Sequence, residues 1–197
     1  MDKKEQDIQT ALEVLQTAKK FDRYATIAGG FPRDLHFNRE YKDVDVYLRA
    51  VGGFNTVDYE HMVKNMFPNL DDFDTSGSMN HWEECDIKWI AYTCRFFVND
   101  LEINLIFIKD THPMSVCKKF DFDICQFYLD TDGKPMQAAY SDFSDKKVKR
   151  VADIKGAQLQ YSILEHYPKL KDKYPDFDFG ETEHKYIQMT TKLGALL

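Results

Sequence analysis

Between residues 27 and 49 the chain reads Ile-Ala-Gly-Gly-Phe-Pro-Arg-Asp-Leu-His-Phe-Asn-Arg-Glu-Tyr-Lys-Asp-Val-Asp-Val-Tyr-Leu-Arg. This order of residue types leaves few folds open. A short apolar run ends in two glycines, Gly29 and Gly30. Pro32 suits the first turn of a short helix, where its missing N–H costs nothing. Asp43-Val44-Asp45-Val46 then alternates acid with apolar. On a strand, that alternation puts Val44 and Val46 on one face and both carboxylates on the other. The unit is strand, glycine turn, short helix, and a strand with one apolar and one acidic face.

Each part suits a particular ligand. A phosphate approaches a backbone closely only where no Cβ intervenes. The first N–H groups of a helix have no internal partner and favour an anion. Arg33 offers a planar cationic fork for phosphate oxygens, and Asp34 is placed to fix Arg33 or to cap the helix. Two carboxylates side by side repel each other unless a cation sits between them. Mg²⁺ takes one or two carboxylates together with substrate phosphates, and a pair of such ions activates an attacking oxygen while stabilising a leaving one.

A third carboxylate is expected, and Glu102 is the candidate. Residues 87–98 and 101–108 are β-branched and aromatic, and Asn99-Asp100 lies between them. Two such runs around a two-residue polar turn predict a hairpin. Glu102, between Leu101 and Ile103, is an acid on an otherwise apolar strand, and a buried carboxylate is costly unless it is paired or metal-bound. Asp86 and Asp100 read as turn residues and are weaker candidates.

Gly29-Gly30-x-x-Arg33-Asp34 followed by Lys42-Asp43-Val44-Asp45 resembles the first motif of the class II nucleotidyltransferases. That group contains the bacterial-type CCA-adding enzymes and poly(A) polymerases, within the DNA polymerase β-like superfamily. Lys119-Phe120-Asp121-Phe122-Asp123-Ile124-Cys125 is similar to the group's second motif, Arg-Arg-Asp-Phe-Thr-Ile-Asn. Lys119 matches in charge, Asp121, Phe122 and Ile124 match directly, and Phe120, Asp123 and Cys125 depart. The resemblance covers roughly residues 20–155. It implies an α+β nucleotidyltransferase (polymerase β-like) fold, a mixed sheet with flanking helices. It also implies catalytic and metal-binding roles for Asp43, Asp45 and Glu102, with two Mg²⁺ ions that Mn²⁺ can replace. Gly29, Gly30, Arg33, Asp34, Lys42, Lys119 and Asp121 are implied in binding a nucleoside triphosphate, ATP among them. The group's base-selecting Glu-Asp-x-x-Arg motif is not visible, and residues 181–185, Glu-Thr-Glu-His-Lys, are no substitute.

Composition bounds the rest. The chain of 197 residues carries 26 Lys and Arg against 33 Asp and Glu, a net charge of −7. An acidic chain lacks the global field of nonspecific nucleic-acid binders. One basic cluster, Lys146-Lys147-Val148-Lys149-Arg150, is a local exception. No apolar run approaches the length of a membrane span and no signal peptide opens the chain, so a soluble cytoplasmic protein is expected, host-cytoplasmic if phage-encoded. Ile8, Leu12, Leu15 and Ala18 recur at helical spacing and predict an amphipathic first helix. Thr56–Phe67 reads as a second helix, and 71–80 as a loop near the site. Cys94 and Cys125 read as small buried hydrophobes. His81 and Cys85 have zinc-like spacing, but no second pair completes it.

Residues 1–155 are therefore expected to form a catalytic head. Residues 156–197 are expected to form a short helical extension, with a stripe of Leu159, Ile163, Leu164 and Leu170 interrupted at Pro168. The implied activity is transfer of a nucleoside monophosphate from an NTP to an acceptor hydroxyl with release of pyrophosphate. An RNA 3′ end is the favoured acceptor, and a protein hydroxyl is the second choice. The rival is a non-catalytic nucleotide- or partner-binding protein on the same fold, such as a toxin–antitoxin or phage–host defence component. A phosphohydrolase using the same acids fits the glycine and Arg-Asp context less well.

Overall fold

The computed structural model describes residues 2–70, 73–75, 89–109, 112–138, 141–152 and 154–194. The expected loop at 71–80 is therefore only partly described, and His81, Cys85 and Asp86 lie outside the described residues.

Helix α1 (Lys3–Lys19) opens with a reciprocal cap. Asp2 accepts the Glu5 N–H at 2.7 Å, and Glu5 accepts the Asp2 N–H at 3.1 Å, so two otherwise unpartnered donors are satisfied. Its buried stripe, Ala11, Val14, Leu15 and Ala18, follows the predicted helical period. Strand β1 (Thr26–Ile27), helix α2 (Gly30–His36) and strand β2 (Asp43–Arg49) reproduce the unit expected from residues 27–49. Helix α3 (Thr56–Met66) is capped by Asn55, whose side chain accepts from the N–H groups of Val57 and Asp58.

Strands β3 (Ile90–Val98) and β4 (Leu101–Ile108) form the predicted hairpin. Asn99 and Asp100 both have positive φ, 50° and 64°, which matches the twist of a two-residue turn to that of its strands. The sheet runs in the order β1-β2-β4-β3. The β2–β4 pair is parallel and the other two are antiparallel, so the sheet is mixed as expected.

The apolar face of this sheet, with Val44, Val46, Leu48, Ile103, Leu105 and Phe107, packs against α1, α2 and α3 in one core. The opposite face carries the acids.

After a 3₁₀ segment (Pro113–Lys119) and a single turn (Asp123–Cys125), strands β5 (Phe127–Leu129) and β6 (Pro135–Gln137) pair with each other. Next come α4 (Gly156–Tyr161), a π-helical turn (Ser162–His166), α5 (Tyr167–Lys173) and α6 (Glu181–Gly194). Tyr167 N–H bonds to Ser162 C=O, five residues back, which widens this turn. Pro168 does not break the helical path as expected. It follows the π-helical turn, whose widened hydrogen bonding leads into the start of α5.

Residues 156–179 are built into the molecule. Tyr167, Leu170, Tyr174, Phe177 and Phe179 share a second core with Phe122, Ile124 and Cys125. Phe37, one residue past α2, meets Phe127, Phe143, Tyr174 and Phe177 with ring centroids 5.4–5.8 Å apart, and so joins the two halves. No helix among the described residues is long and apolar enough to cross a membrane.

Candidate active site

The parallel register sets the arrangement of acids. Asp43 pairs with Glu102 and Asp45 with Asn104, so all four side chains share one face of the sheet, in two rows on adjacent strands. Asn104 Nδ2 donates to Asp45 Oδ1 at 3.0 Å. No cationic side chain contacts Asp45 among the described residues. Burial first, and then the neighbouring Asp43 charge, push the Asp45 carboxyl up to about 7 despite the Asn104 bond. Tyr47, two residues further along the same face, is raised well above its ordinary value, mainly by burial and then by Asp45. A pair of acids this poorly compensated is the donor set that a hard divalent cation fits.

Glu102 lies beside Asp43 through the parallel β2–β4 register. Its Oε1 is 3.5 Å from Lys42 Nζ and 3.8 Å from Arg95 Nη1, which leaves it partly neutralised at the rim. Lys42 also approaches Asp43, at 3.7 Å, and is largely exposed.

These acids form one side of a cleft of about 350 Å³. Gly29, Gly30, Arg33, Asp43, Asp45, Lys119 and Asp121 line it, and so bring together seven of the residues singled out from the sequence. Asp34, Lys42 and Glu102 are not in its lining.

Gly29 has φ 91°, a value that side-chain-bearing residues rarely adopt. A Cβ there would stand 3.5 Å from the Phe120 ring and 3.8 Å from Asp45 Oδ2. The glycine thus brings the backbone against the acidic pair. Its own N–H is spent on Phe127 C=O at 2.8 Å, so it is not an anion donor.

Arg33 is almost fully buried. Its Nε donates to Asp34 Oδ1 at 2.7 Å and to Tyr174 Oη at 3.1 Å, and its Nη1 lies 3.6 Å from Cys125 Sγ. Burial opposes its charge, but Cys125 and the Asp34 bond outweigh that and raise its pKa. Asp34 fixes Arg33, one of the two roles expected for it. Its carboxylate is fully engaged by Arg33, by Lys173 and by the Tyr174 hydroxyl at 2.5 Å. It ties α2 to the end of α5 and does not cap the helix.

The far wall was not foreseen. Trp89, Gln158, Tyr161 and His166 line the cleft, three of them from the segment expected to be an appendage. His166 Nδ1 lies 2.9 Å from Asp121 Oδ2, and Ser162 Oγ donates to the same oxygen at 2.6 Å. Burial works against a charged imidazole, but Asp121 and then Cys125 prevail and push His166 up to about 10. Asp121 is lowered: burial opposes this, and the His166 and Ser162 bonds outweigh it. Asn104 was legible as the i+2 partner of Glu102 on the same strand. His166 and Ser162 carried no local signal.

Against solved structures the architecture has clear counterparts. A CCA-adding enzyme of Thermotoga maritima in complex with tRNA superposes with a TM-score of 0.59 at 14% identity, over 94% of this chain and 42% of that one. A CCA-adding enzyme with CTP gives 0.55 at 16% identity, over 95% and 43%. One with ATP gives 0.55 at 14% identity, over the same shares. This chain has a nucleotidyltransferase-type fold. It spans less than half the length of those enzymes, and identities this low establish the fold alone. No protein-family model and no curated protein matches the sequence.

Proposed function

We propose that this chain is a metal-dependent nucleotidyltransferase that moves a nucleoside monophosphate from an NTP to an acceptor hydroxyl and releases pyrophosphate. The observation that carries this reading is the Asp43–Asp45 pair, only partly offset by exposed Lys42, Asn104 and the charge of Arg33, lining one cleft with a glycine turn and that buried arginine. Asp43 and Asp45 would hold Mg²⁺, or Mn²⁺ in its place, with Glu102 adjoining Asp43 in register. When bound, such ions neutralise triphosphate charge and lower the barrier to attack by the acceptor oxygen.

The chain's own residues supply position and charge. Gly29 and Gly30 let the triphosphate come close to the backbone. Arg33, held rigid by Asp34 and Tyr174, directs its remaining donors into the cleft at a fixed angle. Lys119 adds an exposed cation at the mouth. Catalysis of this kind is mostly positioning and electrostatic stabilisation.

The solved counterparts in complex with tRNA, CTP and ATP support an NTP and an RNA 3′ end as substrates. The acidic chain and the partly paired basic cluster, in which Lys146 binds Asp176 and Lys147 binds Asp145, favour a small local RNA footprint. A protein hydroxyl is the alternative acceptor.

The test is incubation with each labelled NTP, Mg²⁺ and total RNA or cell lysate. Label transfer that disappears with Asp43→Ala plus Asp45→Ala supports the reading. Transfer that survives both substitutions sinks it. A non-catalytic binding role is favoured by one feature, the diversion of Glu102 to Lys42 and Arg95. NTP binding without any transfer would select that role.

A further inference from the structure

Cys125 stands where the second motif of the resembling group has asparagine, and it lines the same cleft. Its surroundings are organised. Arg33 Nη1 lies 3.6 Å from Sγ on one side. His166 Nε2 faces it at 4.0 Å on the other. The far nitrogen of that ring, Nδ1, is held by both oxygens of Asp121, at 2.9 and 3.0 Å, and Ser162 Oγ fixes one of those oxygens. The π-helical turn sets Ser162 and His166 side by side toward Asp121. A sulfur nucleophile, an imidazole turned toward it and a carboxylate orienting that imidazole form the arrangement that activates cysteines for covalent chemistry. The other two described cysteines lack it. Cys94 and Cys117 are buried, and burial pushes both thiols up to about 12.

We propose that Cys125 is a modification site for small hydroperoxides, with His166 as its acid–base partner and Asp121 as a positioning residue. Cys125 lines the cleft but is only 4% exposed, so its sulfur is reached by a small hydroperoxide more readily than by a bulky one. The reacting form has Sγ as the thiolate and the proton on His166 Nε2. A sulfur lone pair forms the S–O bond to hydrogen peroxide as the O–O bond breaks. The departing hydroxide takes that proton and leaves as water. Sulfur is oxidised by two electrons to the sulfenic acid, and the peroxide is reduced. Arg33 Nη1, beside the sulfur, stabilises the charge passing to the departing oxygen.

The same three side chains place a sulfur, a ring nitrogen and a carboxylate oxygen within 4.8 Å of one another, the span of a transition-metal site. Two observations favour oxidation over metal binding. A guanidinium stands beside the sulfur, and both carboxylate oxygens are already committed to Nδ1 and Ser162. The proposal shares the cleft with the nucleotide reading but does not rest on it.

The experiment treats the full-length protein, without nucleotide, with hydrogen peroxide, removes the peroxide with catalase, unfolds the protein in dimedone so that every sulfenic acid is trapped, and maps the adduct by mass spectrometry. Adduct at Cys125 should form at least about tenfold faster than at Cys94 or Cys117. His166→Gln should slow it at least about tenfold, the low end of what positioned proton delivery contributes. Cys125 reacting no faster than Cys94 and Cys117 overturns the proposal, and that comparison in the unaltered protein needs no variant to fold. Unchanged reactivity in a folded His166→Gln protein overturns the acid–base role. Reactivity that appears only after EDTA treatment also overturns it, because a resident metal then owns the sulfur.

Discussion

Asp34 and Asp45 both follow the Gly29-Gly30 turn and live under opposite rules. Asp34 is buried and answered by Arg33, Lys173 and Tyr174. Asp45 faces the cleft with one neutral donor, Asn104, and a second carboxylate two residues away. The saturated acid stabilises the fold, and the unsaturated one costs the fold something in exchange for a vacancy in its electrostatics. Asp121 belongs with Asp34, since His166 and Ser162 hold it below the usual carboxylate range while Asp45 rises to about 7. Within one site, carboxylates whose charge is answered by the fold are thus separable from carboxylates left open toward the cleft.

The comparison breaks first at Asp34. Asp34→Ala strands the buried Arg33 guanidinium and frees the part-exposed Lys173, and should cost about 3–5 kcal/mol. Urea unfolding followed by circular dichroism measures it, and a loss under about 1 kcal/mol would mean that Asp34 is not structural. Gly29→Ala forces a side chain into φ 91° and should cost about 1–3 kcal/mol by the same assay. A neutral result there would remove the close approach between turn and acid from the account.

Asp45→Asn should move stability the other way. The folded carboxyl titrates near 7 against about 3.9 unfolded, so its ionisation penalises the fold increasingly as pH rises through that interval. At pH 8 without metal, the variant should be more stable by about 1 kcal/mol, and the gain should vanish near pH 4. An Asp45→Asn protein that is less stable at pH 8 contradicts the unsaturated reading.

The smallest effect belongs to the Asp121–His166 pair, whose ring is 27% exposed at its side chain. His166 is raised to about 10, so its stabilisation is complete below about 6.5 and is lost as pH rises toward 10. Asp121 is lowered, so its share is lost as pH falls below about 4. Thermal melts of His166→Gln and the unaltered protein should therefore converge at both extremes and differ most near pH 5–6. A constant difference across pH would leave the ion pair without weight.

Much of the acidic side was legible because it is local. Asp43 and Asp45 share a face by strand period alone. Glu102 follows from the turn at Asn99-Asp100, since a two-residue hairpin fixes its register. The caps at Asp2 and Asn55 likewise depend on residues two or three positions away. The opposite wall depends on contacts across 41 to 141 residues, such as Ser162 to Asp121 and Arg33 to Tyr174, and these leave no periodic trace. The π-helical turn that aims Ser162 and His166 follows from no propensity in Ser-Ile-Leu-Glu-His. Asp34 was half legible: its bond to neighbouring Arg33 is local, while its other partners, Lys173 and Tyr174, lie far along the chain.

The central claim is that the Asp43–Asp45 pair awaits a metal-bound triphosphate. The direct measurement is calorimetric titration of the protein with a non-hydrolysable NTP analogue, with and without Mg²⁺, alongside folded Asp43→Asn and Asp45→Asn variants. The account predicts Mg²⁺-dependent binding to the unaltered protein and a loss of at least about tenfold in either variant. Binding that is indifferent to Mg²⁺, or equal in all three proteins, would contradict it.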